Sequence, residues 1–234
     1  MKGKILIPMK KVGIVARSGE YYNRSIMYFF ESYRLIAFKN NVLPVMILPP
    51  QEKDYFTTPG AEIGPLSEDE KAYLRAAVDE CDGIIMSGGK RFYDYDRFIY
   101  SYALEKDKPI LGICMGMQIM AAVDTGEKPL PDESKTHRKD GEDYAHAVSV
   151  EKGSVLHKIV GKDVLQVNSY HSYYMDSTKD LLVTARSEDG YIEAVEMPGR
   201  NFVLGVQWHP EIMYDYDDNN RRLMDYFFEV VRNS

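Results

Sequence analysis

The chain has 234 residues, 44% of them hydrophobic and 28% charged, a balance typical of soluble globular proteins that excludes disordered, collagen-like and fibrous architectures. Twenty-nine Lys and Arg against 36 Asp and Glu give a net charge of −7, without the basic stripe of a nucleic-acid or anionic-membrane binder. No repeat, low-complexity tract or Ser/Gly linker divides the chain, so one α/β domain over residues 1–234 is the simplest expectation.

The opening, Met1 to Pro8, carries two lysines, but Pro8 and Lys10 break its apolar stretch, so no secretion signal is expected. The apolar runs fall short of the roughly 20 residues that span a bilayer, and a cytoplasmic protein is expected. Short β-branched runs at Val12 to Val15, Val42 to Leu48, Gly83 to Met86 and Pro109 to Ile113 alternate with helix-length segments. That alternation predicts a mostly parallel sheet covered by helices on both faces. Ser25 to Lys39, with apolar or aromatic residues at 26, 29, 30, 33, 36 and 37, and Glu68 to Glu80 are the first two predicted helices.

In the second half the rhythm shortens. Ala145 to Val150, Asp163 to Asn168 and Leu181 to Arg186 are strand-like and predict a smaller antiparallel sheet. Ile192 to Met197 and Phe202 to Trp208, separated by a Pro-Gly turn, predict a hairpin. Asn219 to Val231, with Leu223, Tyr226, Phe227, Val230 and Val231 at helical spacing, predicts a closing helix.

Two cysteines, Cys81 and Cys114, sit in contexts too unlike for a disulfide framework. Cys114 lies where an apolar strand turns sharply between Gly112 and Gly116 into an apolar helix, the pattern of a nucleophile elbow. A helix N-terminus there favours the thiolate. On this local pattern alone a buried structural cysteine is the competing reading, and for Cys81, which has no elbow after it, the structural reading wins. A thiol nucleophile needs a base. Among five histidines, His209 stands out in Gln207-Trp-His-Pro-Glu211, where an extended residue before proline would set His209 and Glu211 on one side. Gly88-Gly89, ending an apolar strand, permits a turn whose outward N–H groups could receive an oxyanion, although a glycine pair alone is more often just a turn.

Taken in order, Gly88-Gly89, Gly112-Ile-Cys-Met-Gly-Met-Gln118 and His209-Pro-Glu211 resemble the class I glutamine amidotransferase-like family. Asn168-Ser-Tyr-His171, Ala185 to Gly190, Ile192-Glu-Ala-Val195 and Gly205 to Glu211 narrow the resemblance to its γ-glutamyl-γ-aminobutyrate hydrolase branch of γ-glutamyl peptidases. The resemblance runs from about Val12 through most of the chain. It implies a flavodoxin-like core and a Cys114, His209, Glu211 triad that attacks the γ-amide of a glutamyl group. The backbone N–H groups of Gly89 and Met115 would hold the oxyanion, and water would then cleave a γ-glutamyl thioester. Gln118, Gly88, His171 and Ser169 are implied as substrate-binding residues. For Gln118 a helix-packing role, and for His171 a structural hydrogen bond, are equally open. His137 and His146 have weaker claims, and His157 reads as solvated.

The chain departs from relatives at Lys90 to Asp96, where they carry a longer acidic loop, and at Ser172 to Met175, where they carry a second histidine followed by glutamine. Both segments are expected to shape the leaving-group pocket, so the amine stays open. The tyrosines there, with Arg91 and Arg97, fit a polar or aromatic amine or simply a tyrosine-rich surface. No cofactor and no metal are expected, because the histidines are dispersed along the chain and no Cys/His pair has ligand spacing. The expected partner is a small γ-glutamyl substrate, with no nucleic acid and no membrane, and a homodimer is compatible with the sequence. Two other readings are a glutaminase subunit that delivers ammonia to a separate synthetase and a catalytically silent binding protein of the same fold.

Overall fold

A computed structural model describes residues 9–133 and 137–234; the amino-terminal reading of Met1 to Pro8 lies outside these. In chain order the elements are β1 (Lys11–Val15), β2 (Arg17–Tyr21), β3 (Arg24–Tyr28), α1 (Glu31–Lys39), β4 (Leu43–Ile47), α2 (Gly60–Ile63), α3 (Glu68–Asp79), β5 (Gly83–Met86), α4 (Asp94–Glu105), β6 (Ile110–Ile113) and α5 (Met115–Thr125). The second half adds β7 (Leu130–Pro131), β8 (His146–Val150), α6 (Val155–Val160), β9 (Val164–Val167), β10 (Tyr173–Tyr174), β11 (Leu182–Ser187), β12 (Ile192–Glu196), β13 (Val203–Val206), α7 (Pro210–Met213) and α8 (Asp218–Asn233).

The apolar runs pair as their composition predicts. A nine-stranded sheet has the order β4-β1-β5-β6-β13-β12-β11-β8-β9. Its pairs from β4 to β13 are parallel, and those from β13 to β9 are antiparallel. The antiparallel strands of the second half thus extend the parallel sheet through β13, and two small antiparallel ribbons, β2-β3 and β7-β10, stand beside it. Alternate side chains feed two cores. Ile85, Leu111, Leu204 and Val206 pack with α1 and α8, whereas Ile84, Ile110 and Val203 belong to the core that holds residues of α3, α4 and α5. Burial on both faces is what makes the central strands continuous apolar runs. The expected hairpin (β12, β13) and closing helix (α8) are both present. Among the described residues no helix is long and apolar enough to cross a membrane.

One predicted element is corrected. Ser25 to Lys39 is not a single helix, because Arg24–Tyr28 pairs with Arg17–Tyr21 and the helix begins only at Glu31. Tyr22 and Asn23, both at positive φ, form the two-residue loop of that ribbon. Tyr28 lies across Gly19, where an added Cβ would come within 2.7 Å of its ring. The helical spacing of residues 26, 29, 30 and 33 therefore joins a ribbon residue to the connection at 29 and 30 and to a residue of α1.

The strands β5, β6 and β13 are neighbours and parallel, so the segments leaving their carboxyl ends meet. They carry Ser87 to Gly89, Cys114 and Gln207 to His209. The tightest point is the turn from β6 into α5, where a Cβ on Gly116 would lie 1.9 Å from the Met86 carbonyl oxygen. Backbone cannot yield there as a flexible side chain would. Gly116→Ala should therefore cost at least about 1–3 kcal/mol of stability, measured as a lower urea midpoint at unchanged slope; an unchanged midpoint would contradict this packing.

Candidate active site

Cys114 has φ 53° and ψ −109° and caps α5 directly after β6. A non-glycine residue with such angles is strained by about 1–3 kcal/mol and persists only where its surroundings impose it. Here Gly112 and Gly116 admit the close chain approach, and the Cys114 N–H is held by the Val206 carbonyl at 2.8 Å. The sulfur is thus presented at the N-terminus of a helix, as the elbow pattern predicts. Cys81, in contrast, is buried, directs its Sγ to the Ala77 carbonyl at 3.4 Å, and burial pushes its thiol up to about 11.

His209 flanks Cys114 across Gly88: a Cβ on Gly88 would meet His209 Cε1 at 2.8 Å and Cys114 Cβ at 3.5 Å. The ring lies close enough to Cys114 for the thiol's charge to act on it. On its far side His209 Nδ1 donates to Glu211 Oε1 at 2.7 Å, and Tyr33 Oη donates to the same oxygen at 3.1 Å. The expected pairing across Pro210 is present, by a different route from the extended chain predicted, since Pro210–Met213 is a helical turn capped by His209. The His209 backbone is clamped as well: Asn168 Oδ1 accepts from its N–H at 2.8 Å, and Asn168 Nδ2 donates to its carbonyl at 3.0 Å. Burial disfavours the imidazolium, but the charges of Glu211 and Cys114 outweigh it and hold the His209 pKa well above its ordinary value.

Gly89 and Met115 both line the cavity beside Cys114. The loop before Gly89 is held by a residue the sequence reading missed. Arg17, 4% exposed, pairs with fully buried Asp96, and its Nη2 donates to the Ser87 carbonyl at 2.7 Å while its Nε reaches the Ser87 and Gly88 carbonyls, each at 3.2 Å. With these carbonyls drawn into the protein, the loop's shape is set by a buried ion pair. Tyr33 and Asn168 were missed in the same way. Asn168 stood in a recognised motif without a role, Tyr33 read as one more aromatic on an apolar face, and Arg17 gave no signal.

The cavity at Cys114 has a volume of about 830 Å³. Both departing segments contribute to its wall, through Lys90 to Asp94 and through Ser172 and Tyr173. Among the described residues, Lys90, Arg91, Arg97, Lys128 and Arg138 line it against one carboxylate, Asp94. Gln118 also lines it, but its Nε2 is committed to the Tyr173 carbonyl at 2.7 Å and Gln207 Oε1 at 3.1 Å. Gly88 packs under His209, and Ser169 is fully buried and donates to the His137 carbonyl, so neither lines the cavity. His171 is among its lining residues, while its nearly fully buried ring donates from Nδ1 to the Tyr173 carbonyl at 3.1 Å and faces Glu193 with Nε2. The histidines are dispersed only in sequence: the fold gathers His137, His146 and His171 around Glu193.

The Peptidase C26 family profile matches residues 93–211, just over half of the chain, and that span contains Cys114, His209 and Glu211. The chain belongs to the Peptidase C26 family. Among similar proteins, a glutamine amidotransferase-like protein of Rickettsia prowazekii is 28% identical over 61% of this chain and 74% of its own length. The γ-glutamyl-γ-aminobutyrate hydrolase of Escherichia coli is 38% identical over 48% of this chain and 50% of its own, so the match spans half of that enzyme. In structure, the C26 chain superimposes on a GMP synthase-like protein of Thermoplasma acidophilum with TM-score 0.68, at 17% identity, over 96% of this chain and 95% of that one. That likeness, at 17% identity, is one of fold alone.

Because Glu211 raises the His209 pKa, removing its charge must lower it. The His209 ring, followed by NMR, should titrate above 6.5 in the wild type and at a lower pH in Glu211→Gln; equal midpoints would remove Glu211 from this role. Arg17→Met leaves Asp96 buried without its partner and should cost about 3–5 kcal/mol, measured by urea unfolding, whereas the double variant Arg17→Met/Asp96→Leu should recover much of that loss.

Proposed function

We propose that this C26 protein hydrolyses the γ-glutamyl amide bond of a γ-glutamyl amine or peptide whose leaving amine carries a carboxylate. What carries the reading is the line Cys114, His209, Glu211, with the nucleophile on a strained elbow and the base held by Asn168, Glu211 and Tyr33.

Cys114 Sγ attacks the γ-carbonyl carbon as its proton passes to His209, whose imidazolium is stabilised by Glu211. The tetrahedral oxyanion is received by the N–H groups of Gly89 and Met115, the latter in the first turn of α5 where the helix dipole favours negative charge. Collapse breaks the C–N bond, His209 returns the proton to the departing amine, and a γ-glutamyl thioester forms on Cys114. Water, deprotonated by His209, then attacks the thioester; glutamate leaves and the thiol is restored.

The substrate class follows from charge. In a protein with net charge −7, five cationic side chains and one carboxylate among the described residues around this cavity favour an anionic ligand. One carboxylate belongs to the glutamyl group, and a second, on the leaving amine, suits Arg91 within the segment that departs from relatives and Arg97 directly after it. The name of the E. coli relative, whose amine is an amino acid, supports the same class.

Glutamate release from a panel of γ-glutamyl amines, glutamine included, tests this. Wild-type kcat/KM should be highest for carboxylate-bearing amines and fall about 10⁴-fold or more in Cys114→Ala. Arg91→Gln/Arg97→Gln should raise KM for those substrates about tenfold, or about 1.4 kcal/mol, and leave neutral amines unchanged. Release from glutamine alone would contradict the hydrolase and indicate an ammonia-supplying glutaminase; no release from any member would contradict the enzyme reading.

A further inference from the structure

The cluster behind the cavity wall is built from four residues distant in sequence. Glu193 on β12 is fully buried, and among the described residues its ion-pair partners are His137, His146 and His171. Glu193 Oε1 lies 3.4 Å from His137 Nδ1, 3.7 Å from His146 Nε2 and 3.7 Å from His171 Nε2. One ligand atom from each of the four residues falls within 4.8 Å of the others.

These gaps are too long for hydrogen bonds, which close to about 2.7–3.2 Å. None of the three inward nitrogens, nor either Glu193 oxygen, has a hydrogen-bond partner among the described residues. The outward nitrogens explain why the inward ones are acceptors. His146 Nδ1 donates to the Ala147 carbonyl at 3.2 Å, His171 Nδ1 to the Tyr173 carbonyl at 3.1 Å, and His137 Nε2 to Asp189 Oδ2 at 2.9 Å. With the outward nitrogen of each ring engaged, a ring in its neutral form turns a lone pair on the carboxylate. Four acceptors facing one another in a buried space repel unless a cation sits among them. Outward N–H groups on carbonyls and a carboxylate are also how metal-bound histidines are held.

We infer that His137 Nδ1, His146 Nε2, His171 Nε2 and a Glu193 carboxylate oxygen bind a divalent transition-metal ion, with zinc the best match. Bonds of about 2.0–2.1 Å in a tetrahedron place ligand atoms about 3.4 Å apart, close to the three separations from Glu193, and the remaining pairs, all within 4.8 Å, close as the rings turn inward. Three imidazoles and one carboxylate suit zinc better than calcium or magnesium, which prefer all-oxygen shells. Four protein ligands make it a closed, structural centre. An outer opening lined by His137, His146 and Asp189 gives the ion a route from solvent. The centre would tie β8 and β12 to the segments around His137 and His171, and therefore to Asn168, which clamps His209, and to Arg138 and Tyr173 in the cavity wall. The inference does not rest on the proposed activity.

The whole chain, purified without chelator, is analysed for metal by inductively coupled plasma mass spectrometry. It is then stripped with a chelator, desalted and titrated with Zn²⁺ or Co²⁺ while binding, the cobalt visible spectrum and the thermal midpoint are followed. The expected result is one ion per chain, a tetrahedral cobalt spectrum, and a midpoint that falls on stripping and returns on addition. His146→Ala should abolish stoichiometric binding. Asp189→Asn, at a half-exposed second-layer carboxylate that should leave folding intact, should weaken binding about 10–100-fold. A stripped protein that binds neither ion stoichiometrically, or binding of equal strength in Asp189→Asn and in a folded His146→Ala, would overturn the site.

Discussion

The contact between Gly116 and the Met86 carbonyl is the constraint on which the rest of the site depends. A side chain at position 116 would drive α5 away from the end of β5, and without that approach the turn at Cys114 could open into an ordinary cap. Held shut, it forces Cys114 into a backbone conformation that costs free energy locally and is supported by the two cores on either side of the sheet. Strand order then does the remaining positioning, because β5, β6 and β13 end side by side and deliver a glycine turn, a thiol and a histidine to one place.

Around that point the polar groups are placed by buried partners from remote parts of the chain. Arg17 and Asp96 are 79 residues apart and shape the glycine loop, while Tyr33 and Glu211 are 178 apart and orient the His209 ring. Each donor or acceptor so held is desolvated, which strengthens its interactions and makes a missing partner costly. The acidic protein then opens a cation-lined cavity over this rigid floor.

What could be read from the sequence follows the same division. The central strands were legible because burial on both faces makes them unbroken apolar runs, and the elbow because its glycines sit at fixed distances from Cys114. His209 and Glu211 were legible because they are two residues apart. The ribbon Arg17–Tyr21 with Arg24–Tyr28 was not, since its strands are polar and its register comes from positive φ at Tyr22 and Asn23. Arg17, Tyr33 and Asn168 escaped because their roles exist only through contacts across the fold. The gathering of His137, His146, His171 and Glu193 escaped for the same reason: each comes from a different element or loop, and no local spacing joins them.

The central claim is that Cys114 carries the glutamyl group as a thioester, and partitioning with hydroxylamine tests it most directly. Hydroxylamine competes with water for the acyl group, so the ratio of γ-glutamyl hydroxamate to glutamate reports what is being attacked. A common thioester predicts the same ratio for every γ-glutamyl amine hydrolysed, at any given hydroxylamine concentration, because the amine has already departed. A ratio that changes with the leaving amine would mean that water attacks the amide itself, and would contradict the role assigned to Cys114.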